Sequence, residues 1–206
     1  MDTWEVCHET MARAIDMAKP LLQQMSYNGV VQEINGTDDF TIDLQRRGAD
    51  MVLFQEPGKA LFVEVKGANK TYKTAYIEVI ADTRTGKLGW FYDIDSHLLI
   101  WVYLDTGRAH IIKVEPFKAW ATGILDTYPS AHQKAYKQGN DTIGRLIPWK
   151  HIAWGIGPEN FGTVYLDTGW DNKLNDMNLL PGEGYHLRCN NQGITGYNEY
   201  QGSYQN

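Results

Sequence analysis

Two short apolar runs, residues 51–54 and 61–65, flank Pro57-Gly58 within the stretch GADMVLFQEPGKALFVEVK, residues 48–66. This pattern leaves few alternatives, because two strand-like runs punctuated by a turn make a β-hairpin. Along the second run, the two-residue period of a strand puts Leu61, Val63 and Val65 on one face. Phe62, Glu64 and Lys66 fall on the other, so Glu64 and Lys66 are same-face neighbours about 7 Å apart.

Which face Asp50 occupies depends on the pairing register. A two-residue turn at Pro57-Gly58 pairs Asp50 with Val65 and sends its carboxylate to the opposite face. A three-residue loop, Glu56-Pro57-Gly58, pairs Gln55 with Lys59 and Asp50 with Glu64. Turn chemistry favours the second, because Pro supplies a helical φ and Gly the left-handed residue after it. In that register two carboxylates and a lysine meet on one face. Carboxylates within about 5 Å repel, and a single lysine compensates only in part. A hard divalent cation removes the conflict, and Mg²⁺ commonly takes one or two carboxylates while keeping waters for a substrate phosphate.

Asp50 at the entry of one strand and Glu64-Val65-Lys66 on the next resemble the signature of the PD-(D/E)XK nuclease superfamily, also called restriction-endonuclease-like, with Ala49 in place of the variable Pro. Residues 43–50, DLQRRGAD, resemble the D-x-Q-x-x-G-x-D entry of phage-type members. Tyr76-Ile77-Glu78, Gly89-Trp90 and the apolar run 98–104 resemble the helix and later strand of that group. The resemblance covers roughly residues 1–115. It implies an α/β fold with a mixed β-sheet core flanked by helices, and a metal-dependent deoxyribonuclease activity, endonucleolytic or resolvase-like. Asp50 and Glu64 are then the metal-binding carboxylates, with the Val65 carbonyl as a backbone ligand for Mg²⁺ or Mn²⁺. Lys66 is the catalytic lysine, and Glu78 and Gln45 are accessory candidates. On an N-terminal helix, Glu9 points almost opposite the apolar stripe and Glu5 lies well off it, so both read as solvated.

DNA is the implied partner, although the net charge of −6 over 206 residues argues against a protein that coats nucleic acid. The distribution softens that objection. Residues 66–87 and 131–151 each carry a local balance of +3, leaving −12 on the rest of the chain. Arg46, Arg47, Lys70, Lys73, Lys134 and Lys137 are the expected DNA contacts, and a homodimer would suit cleavage of two strands. Cys7 and Cys189 are far apart and form neither a zinc motif nor a disulfide framework. The charged start reads as a helix rather than a signal peptide, and the run 98–104 is too short to span a bilayer, so a cytoplasmic protein is expected.

The expected layout is a nuclease core at 1–125, a β-rich or irregular C-terminal extension at 126–189 packed on it, and a flexible Asn/Gln/Gly/Tyr-rich tail at 190–206. The apolar stripe Trp4, Cys7, Met11, Ile15, Ala18, Leu22 and Met25 predicts a helix over 3–25, interrupted near Pro20. Strands are expected at 30–34, 40–47, 50–55, 60–66, 98–104, 109–114 and 150–156. Helices are expected at 71–82, 116–122 and 130–138, the second opening on Pro116.

Tyr-Leu-Asp-Thr-Gly occurs at 103–107 and 165–169. Paired Asp-Thr-Gly marks aspartic proteases, but Arg108 and Trp170 follow here instead of a small hydroxyl residue, so turns ending aromatic strands explain both copies. His97 and His110, on strands, read as structural. The rival class is a non-catalytic aromatic-rich protein that binds nucleic acid or carbohydrate, with Trp149, Trp154, Tyr165 and Trp170 as stacking platforms.

Overall fold

The computed structural model describes residues 3–56, 59–134, 141–166, 186–190 and 193–198. A long helix, α1 (Thr3–Met25), lies on one face of a mixed sheet, and a second sheet with three shorter helices covers the other. The main sheet has, among the described residues, the order β1 (Val31–Glu33), β2 (Met51–Glu56), β3 (Lys59–Ala68), β6 (Leu98–Tyr103), β7 (Arg108–Lys113), β10 (Phe161–Tyr165), β11 (His186–Asn190) and β12 (Gly193–Asn198). The second sheet runs β5 (Lys87–Leu88), β4 (Thr74–Asp82), β9 (Asp141–Pro148) and β8 (Ser130–Lys134). The chain is thus α/β with a mixed sheet, as expected. No helix among the described residues is long and apolar enough to cross a membrane.

The helix α1 runs unbroken through Pro20. Pro20 is exposed, while the next residues, Leu21 and Leu22, are buried, so packing of the last turns outweighs the lost backbone hydrogen bond. The buried line of the helix passes through Thr10, Ala14, Ala18 and Leu22 rather than Cys7, which is exposed. Small residues are needed there because the helix nearly touches β3: a Cβ on Gly67 would lie 2.9 Å from both Ala14 Cβ and the Thr10 carbonyl oxygen. Met51, Leu53, Val63, Val65, Ile100 and Val102 complete this core.

The opposite face of β6 presents Leu99 and Tyr103 to Ala75 and Ile77 of β4, Ile147 of β9 and Phe117 of α4 (Val114–Thr122). Four expectations are corrected here. Residues 40–47 form not a strand but helix α2 (Asp39–Arg46), started by Asp38, whose carboxylate accepts from the Thr41 N–H. In place of the helix expected over 71–82, residues 74–82 form β4, because Ala75, Ile77 and Val79 repeat at a period of two and all are buried. Residues 150–156 belong to helix α5 (Trp149–Ile156), whose buried Trp149, Ile152, Ala153 and Ile156 follow helical spacing. Residues 130–134 pair as β8 along β9 instead of coiling.

The remaining short helix, α3 (Trp90–Asp93), sits between β5 and β6. The Asp105-Thr106-Gly107 turn forms between β6 and β7 as expected, with Gly107 at φ 64. Helix α4 begins two residues before Pro116. The C-terminal part is woven into both sheets: β9 pairs with β4, and β10 pairs with β7. Of the expected tail, Asn190 and residues 193–198 are described, on β11 and β12; the rest lies outside the described residues.

Candidate active site

The β2–β3 register runs Met51↔Val63, Val52↔Phe62, Leu53↔Leu61 and Phe54↔Ala60. Continued by one residue, it sets Asp50 opposite Glu64, the alignment that turn chemistry favours. The turn itself differs: Lys59 pairs with Glu56 and Gln55 is bulged out, so the expected Gln55–Lys59 pair does not form. The irregularity at 54–56 absorbs the extra residue and leaves the register at Asp50 intact. Pro57 and Gly58 lie outside the described residues.

Asp50 is fastened to β3 twice. Its backbone N–H donates to the Val63 carbonyl at 2.9 Å, and its Oδ2 accepts from the Val65 N–H at 2.7 Å. The chain reaches it from α2 through Gly48, whose φ of 73 and missing Cβ are both required: a Cβ there would sit 3.2 Å from Glu64 Oε2. Glu64 is 6 % exposed, and its Oε1 is bonded to the Lys66 ammonium. Burial, reinforced by the Glu64 carboxylate, pushes Asp50 up to about 6, against the Val65 N–H and Lys66, which favour its charge. Asp50 therefore keeps its proton to a higher pH than an ordinary aspartate does, and a bound cation would favour its release.

The far wall comes from β4 and α3. Burial raises the Glu78 carboxyl, while the Trp90 N–H, Lys66 and Lys87 hold it down. The Trp90 N–H donates to Glu78 Oε1 at 3.4 Å. The Lys66 ammonium also lies 5.2 Å from the centre of the Trp90 ring, so Lys66 sits between Glu64 and that indole.

The donor set suits a hard cation as a pair of carboxylates rather than a full protein cage. Among the described residues, no group of three or more His, Cys, Asp or Glu side chains gathers around one point. Backbone parity adds a third oxygen. Phe62 and Ala68 accept from the His97 and Leu104 N–H groups, which flank β6, while Val63 accepts from the Asp50 N–H. Val65, two residues on, therefore turns its carbonyl to the Asp50 side, beyond the first β2 pair at Met51.

The other expected residues are dispersed. Gln45 donates its amide to the Ile34 carbonyl at 2.7 Å and so braces the end of β1. Arg46 is exposed at the end of α2, and Arg47 pairs with Asp43 and Asp95. Lys70 and Lys73 are exposed on the turn after β3, which Thr71 pins by donating its N–H and hydroxyl to Asp105. That contact gives the first Asp-Thr-Gly a structural role; the second lies outside the described residues. So do Lys137 and Trp170, while the Lys134 backbone ends β8. Glu9 is exposed, in line with its solvated reading.

His97 accepts from the Phe62 N–H through Nδ1, and His110 is buried with Nδ1 2.9 Å from the Thr163 hydroxyl, so both serve the fold. Trp149 is buried beside His110, which removes it as a stacking platform, whereas Trp154 is 87 % exposed. Sequence reasoning missed Gly48, Lys87 and Trp90 as site residues. Gly48 and Trp90 fell within stretches that carry the resemblance, but nothing in their spacing marked either as a site residue. No protein-family model matches this chain, and neither a curated protein nor a solved structure matches it.

Proposed function

We propose that the chain is a metal-dependent nuclease that hydrolyses phosphodiester bonds in DNA, with a restriction-endonuclease-like core. The observation that carries this reading is the convergence of Asp50, at the entry of β2, with Glu64 and Lys66 of β3, where burial and then the Glu64 carboxylate push Asp50 up to about 6. Buried like charges are costly without a cationic partner, and structural sites seldom retain them. Asp50, Glu64 and the Val65 carbonyl would hold Mg²⁺ or Mn²⁺. The cation, when bound, polarises the phosphate and lowers the pKa of an attacking water. Lys66 donates to the phosphate or the water, and Glu78 is the accessory acid beside it. On this reading the protein works in the cytoplasm, and a homodimer supplies the second site where both strands are cut.

The deciding experiment is cleavage of plasmid, linear and branched DNA by the purified protein. Cleavage is expected with Mg²⁺ or Mn²⁺ and absent in chelator, and Ca²⁺ is expected to support binding without turnover. Undiminished cleavage in chelator would overturn the reading.

A further inference from the structure

Resting on the nuclease reading, we infer that the site takes an unpaired strand, a single-stranded segment or frayed end, and that Trp90 stacks on the base beside the phosphate held by Lys66. Trp90 is only partly buried, and its indole lies 5.2 Å from the Lys66 ammonium. Trp101, next to Lys66 across the parallel β3–β6 pairing, puts a second ring 6.3 Å from Trp90. A nucleotide spans that kind of separation between its phosphate and its base, so a phosphate bonded to Lys66 brings a base within reach of the indole.

The position of Trp90 is built rather than incidental. Gly89 packs against β4 so closely that a Cβ would lie 2.3 Å from the Glu78 carbonyl oxygen. Its N–H donates to the Val79 carbonyl at 3.0 Å, and the next N–H, that of Trp90, goes to Glu78. The Trp90 backbone is thereby fixed, and its ring rests against the core, which lowers the entropic cost of stacking on its open part.

Depth and charge point the same way. Glu64 is 6 % exposed, with Gly48 against its carboxylate, so a phosphate must descend to reach it. A strand free of its complement bends into such a recess more readily than a duplex, whose backbone is held at a fixed radius. The net charge of −6 gives little general attraction for duplex phosphates. Base stacking supplies affinity that does not need it and is indifferent to sequence. Exposed Lys87, close enough to lower the Glu78 pKa, is placed for a neighbouring phosphate.

The test uses a short oligothymidylate and its duplex with oligodeoxyadenylate. Binding is followed by tryptophan fluorescence in Ca²⁺, and cleavage in Mg²⁺. The wild type is expected to bind and cleave the single strand in preference to the blunt duplex, with fluorescence quenching that Trp90→Phe reduces. Trp90→Leu should weaken single-strand binding roughly 5- to 150-fold, the range for loss of one stacked base. Equal or faster cleavage of the duplex by the wild type would overturn the inference without any variant. So would an unchanged affinity in a Trp90→Leu protein that keeps its circular dichroism. Trp90-dependent quenching without cleavage of any DNA would support the stacking site while overturning the nuclease reading.

Discussion

The Val65 N–H donates to Asp50 Oδ2 at 2.7 Å, so the acid that enters β2 is tied to the β3 backbone two residues from Gly67, where α1 makes its closest approach. This bond fixes one carboxylate oxygen and leaves the other to its neighbours. It also favours the charged form, yet burial and Glu64 outweigh it.

The raised Asp50 value, about 6 against an ordinary 3.8, gives a stability signature. Between about pH 4 and 6 the folded protein binds the extra proton, so this group makes stability fall as pH rises through that window and level off above it. Asp50→Asn keeps an oxygen for the Val65 N–H and removes the charge. In metal-free buffer near neutral pH it should be more stable than wild type by about 3 kcal/mol, with the gap closing near pH 4. Urea unfolding at several pH values checks this, and a gap that is absent or grows on acidification would refute it.

Metal affinity should show the complementary trend. Asp50 must lose its proton to act as a ligand, so Mg²⁺ or Mn²⁺ binding measured by calorimetry should weaken as pH falls through about 6. Binding that is indifferent to pH over that range would place the ion elsewhere.

Lys66→Ala should lower cleavage by about 10²–10³-fold or more while the fold survives, because Lys66 is partly exposed and lies on the site face rather than in the core facing α1. Glu64→Gln should be similarly inactive and no less stable, since it relieves the carboxylate pair. Full activity in Lys66→Ala would reduce that lysine to a counter-ion for Glu64.

The α1–β3 contact is testable with two glycines. Gly67→Ala places a methyl 2.9 Å from Ala14 Cβ and from the Thr10 carbonyl oxygen, and should cost about 1–3 kcal/mol. Gly123→Ala, which meets nothing within 4 Å at a helical φ of −79, should be neutral or slightly stabilising. Equal melting temperatures for the two variants would mean that the helix yields freely.

If Lys70 and Lys73 meet phosphates, changing both to Ala should flatten the salt dependence of DNA binding by up to about two units of slope. Cleavage at saturating DNA should survive, since neither residue lies among the acids. An unchanged slope would remove this turn from the interface.

The alignment of Asp50 with Glu64 was legible because it rests on local rules, a strand period and a turn whose chemistry restricts the register. The irregularity at Gln55 altered the turn without moving the acids. What misled was equally local. Residues 40–47 alternate like a strand, but the Asp38 cap and its bond to Thr41 settle them as a helix. In α5, two residues separate Trp149 from Ile152, and only its burial on one face distinguishes helix from strand. Trp90 was not legible as a site residue, because its place beside Lys66 depends on the second sheet and α3 packing onto the main sheet, a tertiary event that no spacing within the chain announces.

The pairing of β4 with β9 also sets an order of events during synthesis. Glu78 lies on a strand whose other partner, β5, has only two residues, and its long partner is β9 (Asp141–Pro148). A nascent chain that has released Asp50, Glu64 and Lys66 therefore holds the acidic pair and its lysine well before it can build the wall carrying Glu78 and Trp90. The acids are translated early and the strand that backs their far wall late, so that wall is complete only after most of the chain has been made.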